Sequence, residues 1–260
     1  MLTILSAGSS FNNGLGLHFY DRYHNGLPLN YMLSPSEYAF NHNHSYHAIL
    51  ANKLNGKSIA IPTGGEHNTF LTSIDSIKDK INNDTSIKIV LFQLINAERD
   101  FFIYNNEIYK IDFTDIDSFY KSKDILLSTL DIKIKDDFET KLNESIELYI
   151  KDTKQWKYNH SLYFIDKLNK LYSFLKEKNI EFKIMSYYED FVEQRHHFND
   201  DIFITFKHND IEYTNIQALV TNNMLRIKDD ISITTDEHPN FKAHEIVANN
   251  ILESLNNSYL

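Results

Sequence analysis

The chain has 260 residues and no cysteine, which leaves room for a large core and excludes disulfides, a cysteine nucleophile and thiolate metal sites. Its formal charge of −10 argues against a nucleic-acid partner, because phosphate binding needs a basic face. Hydrophobic and charged residues stand at 42% and 24%, an ordinary globular balance, and no apolar run has the length that crosses a bilayer. The start, Met1-Leu-Thr-Ile-Leu-Ser6, lacks the basic residues and apolar length of a signal peptide. A cytoplasmic location is therefore expected, in line with the missing cysteines.

Leu2–Leu5 reads as a short buried strand. It stops at Ser6-Ala-Gly-Ser-Ser-Phe-Asn-Asn-Gly14, where small residues let a strand turn sharply and expose a side chain at its C-terminal edge. Ligands collect at that edge in open α/β sheets. Ser10 stands where a serine nucleophile would, with its own N–H near the start of the next helix. The commoner meaning of such a stretch is a loop without chemistry. It is neither a Gly-x-Ser-x-Gly elbow nor a P-loop. Leu15–Phe40, with His18, Tyr20, Tyr23, His24, Pro28 and Pro35, reads as an irregular surface excursion beside the site. His42, His44 and His47 have the spacing of metal ligands. In the other reading Ser45 caps a helix over Tyr46–Leu54 and the histidines are solvated residues at its start.

Lys57–Ile61 is a second strand, ending at Pro62-Thr-Gly-Gly-Glu-His-Asn68 before a helix over Thr69–Ile81. Gly65 has no side chain, so its N–H can approach a substrate oxygen, or it is simply part of a turn. Ile87–Leu94 is strongly apolar and reads as a central strand. It delivers Asn96, an amide able either to donate to a developing oxyanion or to cap a turn. Phe101–Phe113 has the pattern of a hairpin, and Asp115–Asp152 is mixed and charged with a helix over Asp136–Lys151. Ser161–Lys178 is an amphipathic helix, with Leu162, Ile165, Leu168, Leu171 and Leu175 on one face. Glu181–Met185 is the next strand, and Tyr187–Asp229 has no regular pattern. Repeated strand–helix units with no composition break predict one domain over residues 1–260, built on a parallel, doubly wound sheet. Irregular or inserted segments fall around 15–45, 100–160 and 187–230.

The stretch Thr235-Asp-Glu-His-Pro-Asn-Phe-Lys-Ala-His-Glu-Ile-Val-Ala248 puts an acid and a histidine before a proline and an amphipathic helix. Ile246, Val247 and Ile251 face a core in this reading, and Glu245, Asn249 and Asn250 face water. A rigid turn followed by a helix fixes the His238 ring, as a general base requires. Equally, Pro239 and Asn240 serve as ordinary turn and cap residues.

These stretches fall in the order of the conserved blocks of the SGNH (GDSL-like) hydrolases, which the chain resembles over most of its length. Gly8-Ser-Ser10 is similar to that family's Gly-Asp-Ser block, Gly65 to the glycine of the second and Asn96 to the asparagine of the third. Asp236-Glu-His238-Pro-Asn resembles the last block, which supplies the acid and the histidine. The departures are specific. Ser9 replaces an aspartate, the third block lacks its Gly-x-Asn-Asp form, and Thr235 stands where the family's acid lies, three residues before the histidine.

The resemblance implies a three-layer α/β/α sandwich and an esterase or deacylase. Ser10 would be the nucleophile, His238 the general base and Asp236 the acid that orients it. The oxyanion donors would be the N–H groups of Ser10 and Gly65 and the Asn96 side chain. No metal or organic cofactor is needed, and the substrate would be a small-molecule or carbohydrate ester. Two other readings remain open here: a binding or structural protein of the same fold with weak or lost chemistry, and a metal-dependent hydrolase using His42, His44 and His47.

Overall fold

The computed structural model describes the chain apart from residues 9, 63–69, 95–101, 106, 110, 112–115, 189–201 and 256–260. Strand β1 (Thr3–Gly8) is followed by helices α1 (His18–His24), α2 (Pro35–Asn43) and α3 (Tyr46–Lys53). Strand β2 (Lys57–Pro62) leads to α4 (Phe70–Asn83), and β3 (Ile87–Leu94) to the hairpin of β4 (Phe102–Tyr104) and β5 (Glu107–Tyr109). Helices α5 (Ile116–Thr129), α6 (Ile132–Lys151) and α7 (Thr153–Glu177) precede β6 (Glu181–Ser186). A second hairpin, β7 (Phe206–His208) and β8 (Ile211–Tyr213), leads to α8 (Ile216–Asn222), α9 (Ile227–Asp230) and α10 (Phe241–Ser254). Among the described residues no helix is long and apolar enough to cross a membrane.

The protein is mixed α/β. Its main sheet runs in the order β2-β1-β3-β6 with every neighbouring pair parallel. Side chains alternate across a strand, and the core divides accordingly. Leu5, Ala7, Val90, Phe92, Phe182 and Ile184 pack with Ile74 and Ile77 of α4 and with Phe164, Leu168 and Leu171 of α7. Ile4, Ile89, Leu91 and Met185 pack instead with Tyr46 and Leu50 of α3 and with Ala243, Val247 and Ile251 of α10. A further cluster, around Phe119, Phe138, Leu142 and Trp156, joins the β4–β5 hairpin to α5, α6 and the first turns of α7.

Several sequence expectations shift. The first strand runs on through Ser6-Ala-Gly8, with Ser6 and Ala7 paired on both sides by β2 and β3 and Gly8 paired with β2, so small residues expected to turn belong to the sheet. A Cβ at Gly8 would stand 2.4 Å from Gln93 Oε1, which shows how closely β3 approaches. The excursion over Leu15–Phe40 contains α1 and most of α2, the latter opened by a capping box between Ser34 and Glu37 with Pro35 in its first turn. Helix α5 occupies sequence read as mixed, α6 begins at Ile132, and α7 begins at Thr153, ahead of the expected Ser161. The stretch read as irregular from Tyr187 contains β7, β8, α8 and α9. Within α10, Asn250 is buried. Its side chain accepts from the Lys207 N–H at 2.6 Å and donates to the Lys207 carbonyl at 3.2 Å, so it ties the hairpin to the helix.

Candidate active site

The parallel strands present their C-terminal ends together, and the chain leaves β1 at Gly8 to enter the turns that carry Ser10. The Ser10 carbonyl accepts from the N–H groups of Asn13 at 3.2 Å and Leu15 at 3.0 Å, folding the loop back on itself. Helix α1 starts only at His18, so the expectation of a helix beginning beside Ser10 is replaced by successive turns. The loop is anchored from below. Phe11 is buried against the rings of Tyr46 and His244, at centroid distances of 5.1 and 4.4 Å. The Asn12 side-chain oxygen accepts from Tyr46 Oη at 2.6 Å and from the Ser6 hydroxyl. A hydroxyl on a loop held this way has few places to go.

The other side of the site is the approach to α10. Residues 236–240 run antiparallel to 225–228. Lys228 N–H donates to the Asp236 carbonyl at 2.9 Å, Ile227 N–H to the His238 carbonyl at 2.8 Å, and Asn240 N–H to the Leu225 carbonyl at 2.8 Å. Asn240 is the N-cap of α10; its side chain accepts from Ala243 N–H at 3.0 Å.

These two elements bring Ser10, His238 and Asp236 together. His238 Nε2 lies 2.9 Å from Ser10 Oγ, and His238 Nδ1 lies 2.8 Å from Asp236 Oδ1. An ionised carboxylate only accepts, so Nδ1 carries the proton and Nε2 is left to accept from the serine hydroxyl, a tautomer assigned from the network. The same Asp236 Oδ1 also accepts the backbone N–H of His238 at 2.7 Å. Thus an acid two residues before the histidine reaches its ring through a tighter turn than one three residues before. The Asp236 side chain is 1% exposed and that of His238 is 25% exposed: the acid is shut away and the imidazole faces the solvent side. Burial opposes the Asp236 anion, but hydrogen bonds and charge from His238, with a hydrogen bond from Tyr31, outweigh it and hold the carboxyl below its ordinary range. Glu237 points elsewhere, into an ion pair with Lys228.

An open cavity of about 720 Å³ lies over this group. Ser10 and His238 stand in its wall with the aromatic rings of Phe19, Tyr31, Tyr187 and Tyr188 and the polar side chains of Gln217, Thr221, Thr234 and Thr235. Gly65 and Asn96, expected to complete an oxyanion site with the Ser10 N–H, lie outside the described residues. Strands β2 and β3, which precede them, end on the same edge as β1.

The His42 and His47 rings stand 4.9 Å apart, but His44 does not join them. His44 Nδ1 donates to the Phe40 carbonyl at 2.8 Å and its ring stands against Phe40 and Phe241. His47 is buried, with Nε2 2.8 Å from Ser45 Oγ. Burial pushes its pKa down to about 3. Among the described residues no three histidine or carboxylate side chains come together as a metal site would require. Ser45 stands at the N-cap of α3 as expected, but its hydroxyl donates to the His42 carbonyl and does not cap the helix.

Two residues of the site escaped sequence reading. Tyr31 Oη donates to Asp236 Oδ2 at 2.7 Å. Gly16, with φ +91°, leaves the space that the acid fills; a Cβ there would stand 2.9 Å from Asp236 Oδ2. The Gly14-Leu-Gly16 spacing offered a signal for the second, and nothing in the sequence pointed to the first. Neither the models of known protein families nor the curated proteins match this chain.

Proposed function

We propose that the protein is a serine hydrolase of the SGNH type that cleaves ester bonds, its fold a three-layer α/β/α sandwich with a doubly wound sheet. The observation that carries this reading is the chain of hydrogen bonds from Ser10 Oγ through the His238 ring to Asp236 at a cavity wall. A structural role explains a buried acid–histidine pair; it does not explain why the outer ring nitrogen is spent on a serine hydroxyl facing open space.

In the proposed reaction Ser10 Oγ attacks the ester carbonyl. An alcohol is a weak nucleophile at neutral pH, so His238 Nε2 takes the proton as the C–O bond forms. Asp236 keeps the imidazole in the required tautomer and stabilises the imidazolium. The imidazolium then returns the proton to the leaving alkoxide, which departs as the alcohol and leaves an acyl-serine. Water, deprotonated by the same nitrogen, attacks the acyl carbon, and the acid leaves with Ser10 reprotonated. The SGNH resemblance assigns the oxyanion to the Ser10 and Gly65 N–H groups and the Asn96 amide, each donor contributing about 2.7–4 kcal/mol of barrier lowering.

We infer a short acyl group on a hydroxyl-rich alcohol, a carbohydrate being the closest chemical match. What supports it is the pairing in the cavity wall of aromatic faces, on which sugar rings stack, with the Gln217, Thr221 and Thr234 side chains, which bond hydroxyls. The test is labelling by a fluorophosphonate probe together with hydrolysis of p-nitrophenyl acetate. The wild-type protein takes up one probe at Ser10 and turns over the ester, and Ser10→Ala does neither. A wild-type protein that resists the probe and leaves the ester intact would sink the assignment and favour a binding protein of this fold.

A further inference from the structure

We propose that Tyr31 is a positioning residue of the triad, which holds Asp236 by the oxygen that His238 leaves free and is itself set in place by His18 and Arg22. This rests on the serine-esterase reading.

Asp236 Oδ1 is fully used by the ring and main-chain N–H of His238, so Oδ2 needs another donor in a nearly closed environment. The Tyr31 hydroxyl supplies it at 2.7 Å. The Tyr31 residue is 52% exposed, but its hydroxyl is turned in toward Asp236, where desolvation, the hydrogen bond and the Asp236 charge raise the phenol pKa and keep it a donor at neutral pH. The Tyr31 ring also stands edge-on to the His238 ring at 6.1 Å and lines the cavity. One side chain therefore touches the acid, the histidine and the space for substrate.

Tyr31 stands in a stretch between α1 and α2 with no regular structure, and such a stretch holds a side chain still only if it is tied down. It is tied on both sides of Tyr31. His18 is completely buried; its Nδ1 accepts from Asn41 Nδ2 at 3.1 Å, which leaves Nε2–H to donate to the Asn30 carbonyl at 2.9 Å. Arg22 donates to the carbonyls of Pro28 at 3.0 Å and Met32 at 2.8 Å. Its other donors grip Glu37 bidentately at 2.5 and 3.1 Å, and Glu37 in turn closes the capping box of α2. Phe19 packs against the Tyr31 ring at 5.1 Å. Among the described residues, His238, Tyr31, Tyr20 and Tyr187 feel the Asp236 charge, and His238 and Tyr31 hydrogen-bond to it.

The decisive variant is Tyr31→Phe, which removes one oxygen and keeps the ring. Fluorophosphonate labelling of Ser10 and kcat on p-nitrophenyl acetate fall about tenfold, as expected for losing a hydrogen bond to a charged group, while KM stays within about twofold. The acid limb of kcat/KM moves to higher pH, because the Asp236 anion has lost a donor that favoured it. Glu37→Gln, which loosens the clamp without touching the site, lowers kcat in the same direction by a smaller factor. Tyr31→Phe with wild-type labelling, turnover and pH profile would overturn the proposal and leave the esterase reading standing. Absence of labelling in the wild-type protein would overturn both, and the two failures are told apart by the wild-type measurement.

Discussion

Replacing Gly16 by alanine tests the packing that brings the acid to the histidine. A Cβ at Gly16 would stand 2.5 Å from Ile227 Cδ1 and 2.9 Å from Asp236 Oδ2. The Ile227 δ-methyl is the end of a flexible side chain, but Asp236 is held by Tyr31 through Oδ2 and by His238 through Oδ1, so the crowding falls on the acid and the turn that carries it. The left-handed backbone costs an L residue roughly 1–2 kcal/mol. Overpacking a filled site adds about 1–3 kcal/mol, for a total loss of about 2–5 kcal/mol. Gly26 is the internal control: its φ is +65° and nothing lies within 4 Å of a Cβ built on it, so Gly26→Ala carries only the backbone part. Urea unfolding followed by circular dichroism reads the stabilities of the two variants. Displacing a catalytic group by about 1 Å costs on the order of 10²-fold, so fluorophosphonate labelling of Ser10 slows by that order in Gly16→Ala and stays at the wild-type rate in Gly26→Ala. Equal stability and equal labelling in the two variants would refute the reasoning, because the crowding at Asp236 would then have no consequence.

Other outcomes follow from the same geometry. His238→Ala abolishes hydrolysis of p-nitrophenyl acetate without unfolding the protein, and Asp236→Asn lowers kcat by roughly 10⁴-fold, since an amide presents the wrong partner to Nδ1. Asn240→Ala removes the N-cap of α10 and lowers stability by about 1 kcal/mol in urea unfolding. The Asp236 carboxyl is depressed in the folded state, so its stabilisation is present above the unfolded carboxylate pKa of about 3.9 and is lost as pH falls through the folded value. Asp236→Asn should flatten the stability profile in that window. His244 is held well below its usual pKa, first by burial and then by the neighbouring His47 and His238. Below about pH 6.5 the unfolded chain takes up a proton there that the native chain refuses, so stability falls with pH. His244→Gln removes about 1.4 kcal/mol per pH unit from that slope, read from urea midpoints; an unchanged slope would count against it.

Where one packing environment governs a segment, the sequence displays it. Ile87–Leu94 is buried nearly throughout between two packed faces, and its limits agree with the apolar run. Where the environment changes along an element, the signal fails. The leucine stripe of α7 that packs on the sheet is plain, but its first turns pack through Trp156 into a different cluster and break the periodicity. Small residues hid the end of β1, because Ser6, Ala7 and Gly8 owe their strand to pairing with β2 and, for the first two, β3, and not to their own preference. In α2 the signature was present, as Ser34-Pro-Ser-Glu37, but the surrounding aromatics masked it. Asn250 looked solvated because a buried amide is recognisable only from its partner, here the Lys207 backbone. Ser10, Asp236 and His238 were joined in the sequence by the order of the blocks they resemble, and the structure brings their side chains within hydrogen-bond reach. Tyr31 was not so joined, because its relation to Asp236 exists only across 205 residues of sequence.

The position of the acid and the aromatic loop over the site are physically connected. An acid two residues before the histidine lies over that residue's own backbone N–H as well as its ring, and a single oxygen takes both bonds. Ring and carboxylate then move as one unit, fixed to the main chain that the 225–228 segment holds. The consequence is a second oxygen directed away from the histidine with almost no access to water. A buried acceptor left without a donor costs about 1–3 kcal/mol, and more for a charged group. The Tyr31 hydroxyl removes that cost, and Gly16 leaves the volume in which the carboxylate can make all three contacts. Closing up the acid–histidine spacing therefore does not part the acid from the histidine. It transfers to a loop between α1 and α2 the task of satisfying the carboxylate, and the two anchors of that loop, the buried His18 and the partly exposed Arg22, become part of what keeps the imidazole facing Ser10.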